Sequence, residues 1–193
     1  MSPRLSLRVA PAVGAGLPCA AGLAPTLARA GGHGGGPQNA IQNSFALGDF
    51  RVATILAGTR VVEDPQTIFG MNASAEEVAA ASAASLITDD KTRIYFTPPM
   101  VNTGSETVLF DTGLSAAGTL PALAAAGYAP GDIDVVVITH MHGDHIGGLM
   151  NDGTPTYPNA RYVTGQAEFD HWNGTDNETF ANNVKPLTER FSF

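Results

Sequence analysis

The sequence predicts an α/β domain, and three observations carry that expectation. Strand-like and helix-like segments alternate from about residue 45 to the C-terminal end, the pattern that places helices against a largely parallel sheet. One strand-like segment, Asp134-Val-Val-Val-Ile-Thr139, is apolar at almost every position, as in a strand buried on both faces. A chain of 193 residues is long enough for one domain with its own core and short for two.

The elements follow in order. Phe45 to Leu56 partly alternates apolar and polar residues and reads as a half-buried strand. Ala75 to Leu86 is the clearest helix: Ser74 is a good N-cap, and Glu77 stands three residues on, as in a capping box. Arg93 to Thr97 reads as a strand stopped by Pro98-Pro99, and Glu106 to Phe110 as another, ending at Asp111-Thr112-Gly113. Leu120 to Ala126 is a short helix closed by Gly127. The apolar strand 134–139 comes next, then a strand over Ala160 to Thr164. Gln166 to Trp172 and Glu178 to Arg190 have helical character, with Pro186 interrupting the second. Phe191-Ser-Phe193 has the composition of a strand start.

Ahead of this domain, residues 1–30 have the features of a secretory signal. Arg4 and Arg8 precede an apolar, small-residue run from Val9 to Pro25, and Ala28-Arg29-Ala30 fits the small-x-small cleavage pattern. Residues 31–43, opening Gly-Gly-His33-Gly-Gly-Gly, read as a flexible linker in which His33 is a solvated side chain. The domain proper is then 44–193, and the expected location is periplasmic or secreted. Cys19 is the only cysteine and falls inside the signal, flanked by Gly16 and Pro18 rather than by a lipid-attachment pattern. A catalytic thiol and an internal disulfide are thereby excluded from the mature chain. The formal net charge of −8 would deepen on loss of Arg4, Arg8 and Arg29, which argues against a nucleic-acid partner. No stretch offers the roughly 18 uninterrupted apolar residues of a membrane span.

The chemistry is concentrated in His140-Met141-His142-Gly143-Asp144-His145. An apolar strand delivers the chain to His140. His140 and His142, two apart, share a side of extended backbone. Asp144 and His145 follow in a stretch that Gly143 and Gly147-Gly148 allow to turn tightly. Four ligand-type side chains in six residues suit imidazole and carboxylate ligation of a divalent ion of the zinc type.

This motif resembles that of the metallo-β-lactamase superfamily, as does Val108-Leu-Phe-Asp111-Thr-Gly113 upstream of it. Within the superfamily the resemblance points to methyl parathion hydrolase and related lactonase-like enzymes. Phe45-Ala-Leu-Gly-Asp-Phe50, Val101-Asn-Thr-Gly104, Ala124-Ala-Ala-Gly-Tyr128 and Tyr157-Pro-Asn-Ala160 carry that finer likeness, over most of 44–190. The resemblance implies an αβ/βα sandwich, of which this chain supplies the N-terminal half. It assigns His140 and His142 to one metal and Asp144 and His145 to a second, with Zn²⁺ favoured and Mn²⁺, Co²⁺ or Fe open. It makes Asp111 the group that orients a ligand histidine, Asp144 the residue that orients the nucleophile, and Trp172 a candidate wall of the substrate pocket. In such a fold two ions about 3.5–4 Å apart share a hydroxide that attacks a carbonyl or phosphorus.

The implied function is hydrolysis of a small-molecule ester, lactone or organophosphate-type ester. Two alternatives stay open: a glyoxalase-type thiolester hydrolase or mononuclear iron oxygenase on the same fold, and an inactive fragment or non-enzymatic binding module. The family pattern also calls for a third histidine, a bridging aspartate and a last histidine. Residues 151–193 offer only His171, read as a surface or packing histidine, so truncation is the expected explanation and a homodimer is left open. The signal reading has a direct check. Mass spectrometry of protein from its native host is expected to find an N-terminus at Gly31; an intact Met1 in the cytosol would defeat it.

Overall fold

The computed structural model describes residues 41–193, so the signal and most of the linker reading lie outside the described residues. The first strand, β1 (Gln42–Leu47), begins inside the stretch read as linker. Its partner β2 (Phe50–Ile55) follows directly, so the single strand expected over Phe45 to Leu56 is a hairpin. Gly48 supplies the positive φ (60°) that a two-residue connection requires. A second hairpin pairs β3 (Gly58–Glu63) with β4 (Lys91–Phe96), with helix α1 (Ala75–Ala84) between them. The Ser74–Glu77 capping box is formed in both directions.

Pro98-Pro99 does not end strand structure: Pro99 opens β5 (Pro99–Asn102). Proline is tolerated there because the first residue of a strand can do without a ladder donor. The chain then runs through β6 (Thr107–Phe110), α2 (Ala116–Ala125), β7 (Val135–Val137), α3 (Gly143–Ile146), the small pair β8 (Met150–Asn151) and β9 (Thr154–Pro155), and β10 (Arg161–Val163). It closes with α4 (Gln166–Asn173), α5 (Glu178–Asn183), a 3₁₀ turn over Lys185–Arg190 that contains Pro186, and β11 (Phe191–Ser192). Helix α2 starts earlier than Leu120 because Ser115 caps it by accepting the Gly118 N–H. Pro121, the sixth residue of α2, lies inside the helix and removes one of its backbone donors.

The main sheet has seven strands in the order β1-β2-β5-β6-β7-β10-β11. β6, β7, β10 and β11 are mutually parallel, and the rest are antiparallel. The apolar strand 134–139 is therefore central, with β6 and β10 on its two sides. One sheet face packs into a single apolar cluster: Ile55, Met100, Leu109, Val136 and Tyr162 meet Leu123 of α2, Phe169 of α4, Phe180 of α5, and Val184 and Leu187. On the other face Val52, Val101 and Val108 stand in register across β2, β5 and β6 and remain half-buried. Among the described residues no helix is long and apolar enough to cross a membrane.

Arg190 fastens the end of the chain to the turn before β10. Its guanidinium donates to the carbonyls of Tyr157, Pro158 and Ala160 and lies 5.1 Å over the Tyr162 ring. Phe180 is fully buried and meets Phe169 edge to face at 5.7 Å. Phe180→Ala is expected to cost roughly 3–5 kcal/mol of unfolding free energy, because the cavity adds to the lost transfer term. Urea denaturation followed by circular dichroism measures it.

Candidate metal centre

Parallel strands expose their carboxyl ends at one rim of the sheet, and side chains that leave adjacent strands there converge. Three neighbouring strands do this. The end of β6 delivers Asp111, the end of β7 delivers residues 139–145, and the end of β10 leads into α4 with Glu168 and Trp172.

Asp111 adopts a left-handed backbone (φ 61°), uncommon for a residue with a side chain, and Gly113 follows at φ 71°. That turn aims the Asp111 carboxylate across the sheet rim. Oδ1 accepts the Thr139 N–H at 2.8 Å, and Oδ2 accepts the Thr139 hydroxyl at 2.8 Å. Oδ2 also lies 2.9 Å from His145 Nδ1. With Nδ1–H donated to Asp111, the free lone pair of His145 is on Nε2, which faces Asp144 Oδ2 at 3.4 Å.

Residues 143–146 form one helical turn, α3, rather than the loop that the glycines suggest. The carbonyl of His142, at its N-cap, accepts the His145 and Ile146 N–H groups. Gly147 and Gly148 are needed for close approach, not for an unusual φ. A Cβ at Gly147 would stand 2.2 Å from the Leu114 carbonyl oxygen, and one at Gly148 would stand 2.2 Å from that of Thr112. Thr112, fully buried, completes the clamp: its hydroxyl donates to the His145 carbonyl (2.8 Å) and accepts the Gly148 N–H (3.1 Å).

Met141 is buried (1% exposed), so His140 and His142 on either side of it emerge together, as the two-residue spacing predicts. Their ring centroids are 4.6 Å apart, and those of His140 and His145 are 3.8 Å apart. Burial first, and then the neighbouring His145 and His142, hold the His140 pKa below the usual histidine range, which favours the neutral, ligating form. The four expected ligands are thus gathered. Among the described residues, however, no three His, Cys, Asp or Glu side chains close into a cage around one point. The His140 and His145 rings lie against each other instead. In donor identity, in the outward Nε2 of His145 and in its pairing with Asp144, the residues present fit a divalent ion.

His171 is exposed on α4 and touches the Trp172 ring at 5.7 Å, so the structure keeps it on the surface. Trp172 is half-buried and stands edge-on to His142 at 5.6 Å. Two clefts open beside the cluster. One of about 580 Å³ is walled by Ile68, Phe69, Ile94, Phe96, Leu114 and Arg60 and reaches His142 and Asp144. The other, of about 300 Å³, runs from Tyr95 and Pro98 to Asp111, Asp144 and His145. Trp172 lines neither of these two clefts and packs edge-on against His142. The sequence reading missed Thr112, Thr139 and Glu168. Only Glu168 left a signal, its i, i+4 spacing from Trp172 on one helix face.

The chain shares its fold with solved hydrolases of the beta lactamase superfamily. Residues 100–152 match the family model of the Metallo-beta-lactamase superfamily. No curated protein sequence matches the chain. Among solved structures it resembles AidC, a dizinc quorum-quenching lactonase bound to a product, with 21% identity and a TM-score of 0.66 over 77% of this chain and 54% of that one. It also resembles the hydrolase AbOPH of the beta lactamase superfamily (22% identity, TM-score 0.63, 80% of this chain and 61% of that one). A probable metal-dependent hydrolase from Staphylococcus aureus is similar as well (19%, TM-score 0.61, 77% and 60%). The chain therefore spans between half and two thirds of the length of these structures.

The clamp at Thr112 can be tested by itself. Thr112→Val keeps the shape and leaves the buried Gly148 N–H without its acceptor, an expected loss of about 1–3 kcal/mol in urea denaturation. A variant as stable as the parent would remove Thr112 from that role.

Proposed function

We propose that these residues are the metal-binding part of a hydrolase that cleaves an ester, a lactone or an organophosphate-type ester. The observation that carries the reading is the chain Thr139–Asp111–His145–Asp144, which fixes one imidazole tautomer and turns its Nε2 toward a carboxylate beside two further histidines. His140, His142, Asp144 and His145 would hold two divalent ions, most simply Zn²⁺, with Mn²⁺, Co²⁺ or Fe as alternatives. Bound there, such ions supply Lewis acidity and a water of lowered pKa. Asp111 orients His145 and keeps Nε2 unprotonated. Asp144, half-buried at the junction of both clefts, accepts a proton from, and aims, an incoming nucleophile. The aromatic and aliphatic cleft walls suit an apolar acyl or aryl group. The similarity to AidC and AbOPH supports the hydrolase class. The reading of residues 1–30 as a signal places the enzyme in the periplasm or outside the cell.

A second reading has its own support. A catalytic zinc takes three protein ligands, and here four donors serve two ions without converging on one point. Residues 41–193 by themselves would then bind metal weakly and turn over at background level, as a binding module does.

The expected outcomes are specific. His142→Ala and Asp144→Ala should each lower metal content, measured by inductively coupled plasma mass spectrometry after loading with zinc, manganese or cobalt. Each should also abolish any turnover on a panel of lactones, aryl esters, phosphotriesters and β-lactams. Full occupancy and activity in either variant would overturn the assigned roles. Robust turnover by the unmodified 193-residue chain would reject the second reading.

A further inference from the structure

Glu168 lies on α4, 27 positions from the backbone group it binds. A single carboxylate oxygen, Oε1, accepts the Met141 N–H at 2.8 Å and the Trp172 indole N–H at 2.7 Å. Met141 separates His140 from His142, and the Trp172 ring stands edge-on to His142 at 5.6 Å. One oxygen atom thus controls the backbone between two proposed ligands and the aromatic surface against which one of them rests.

We infer that Glu168 is a positioning residue of the metal centre: it sets the His140–His142 backbone and the Trp172 wall behind His142, and it does so as a hydrogen-bond acceptor rather than as a charge. The inference rests on the metal-binding reading above. It follows from geometry. Helix spacing puts Trp172 one turn beyond Glu168 on the same face, so the two donors reach the same oxygen. Glu168 is the acceptor that the structure gives the Met141 amide, and a shift of that amide would move the histidines that flank it. The Met141 hydrogen bond, foremost, and the Trp172 one also hold the Glu168 carboxyl below its usual pKa. Groups that orient ligands in this way are worth about 10–100-fold in metal affinity.

The test uses the full chain and its only tryptophan. Glu168→Met keeps the stem and removes the acceptor; Glu168→Gln keeps an acceptor oxygen and removes the charge; Glu168→Ala is a second deletion should the methionine variant fold poorly. Far-UV circular dichroism checks the fold. In metal-free protein, Glu168→Met is expected to red-shift Trp172 emission and raise its quenching by acrylamide, with Glu168→Gln at the parent's values. In Zn²⁺ titrations followed by calorimetry, Glu168→Met should lose about 10–100-fold in affinity, and Glu168→Gln should stay within about threefold. Unchanged emission and affinity in the deletion variants would overturn the inference, as would a Gln variant as impaired as Met. If the parent chain binds no Zn²⁺, the metal reading fails, and the emission comparison alone still decides the placement of Trp172.

Discussion

One carboxylate holds the functional rim together. Asp111 ends β6 and binds both the backbone and the hydroxyl of Thr139, just past the end of β7, so the exits of two adjacent parallel strands cannot separate. The same oxygen that takes the Thr139 hydroxyl takes the His145 ring. A partly exposed contact of this kind would be worth little as an ion pair. Its value here is orientational: it selects a tautomer, and with it the direction in which a lone pair points. The left-handed backbone of Asp111 is part of the same device, because an extended continuation of β6 would carry the carboxylate away from Thr139.

Around that interaction the packing leaves little room for adjustment. The segment after the histidines passes so close to residues 112–114 that only glycine fits at 147 and 148. Thr112 satisfies the polar groups that this approach buries. Buried Met141 and Ile146 tie the segment to the core from within, while Glu168 ties it to α4 from outside. The histidines are thus presented by a backbone held on three sides. Such preorganisation holds flexible side chains in one defined arrangement.

The clefts and the acidic surface divide the work. A net charge of −8 discourages polyanionic partners, whereas the cleft walls are aromatic and aliphatic with Arg60 at the rim. The hairpin β3–β4 and the segment between its strands contribute Arg60, Ile68, Phe69, Ile94 and Phe96 to the larger cleft, although the hairpin is not part of the seven-stranded sheet. The cleft walls therefore come largely from a peripheral hairpin, and the clustered donor side chains from the rim of the central strands.

Much of this was legible locally. The apolar run 134–139, the Ser74–Glu77 box, the helix at 166–172 and the six-residue donor cluster follow from periodicity, capping and residue type within a few positions of each other. The hairpin at Gly48-Asp49 and the strand opening at Pro99 were not legible, because alternation continues through the first and proline masks the second. The sequence by itself determined which donors exist and that His140 and His142 share a side. Only the tertiary structure decided where the His145 lone pair points, that 143–146 is a helical turn, and that Trp172 stands behind His142. The first and last of those depend on partners 27 to 34 positions away, brought close by the pairing of β6, β7 and β10, and no local pattern encodes that distance.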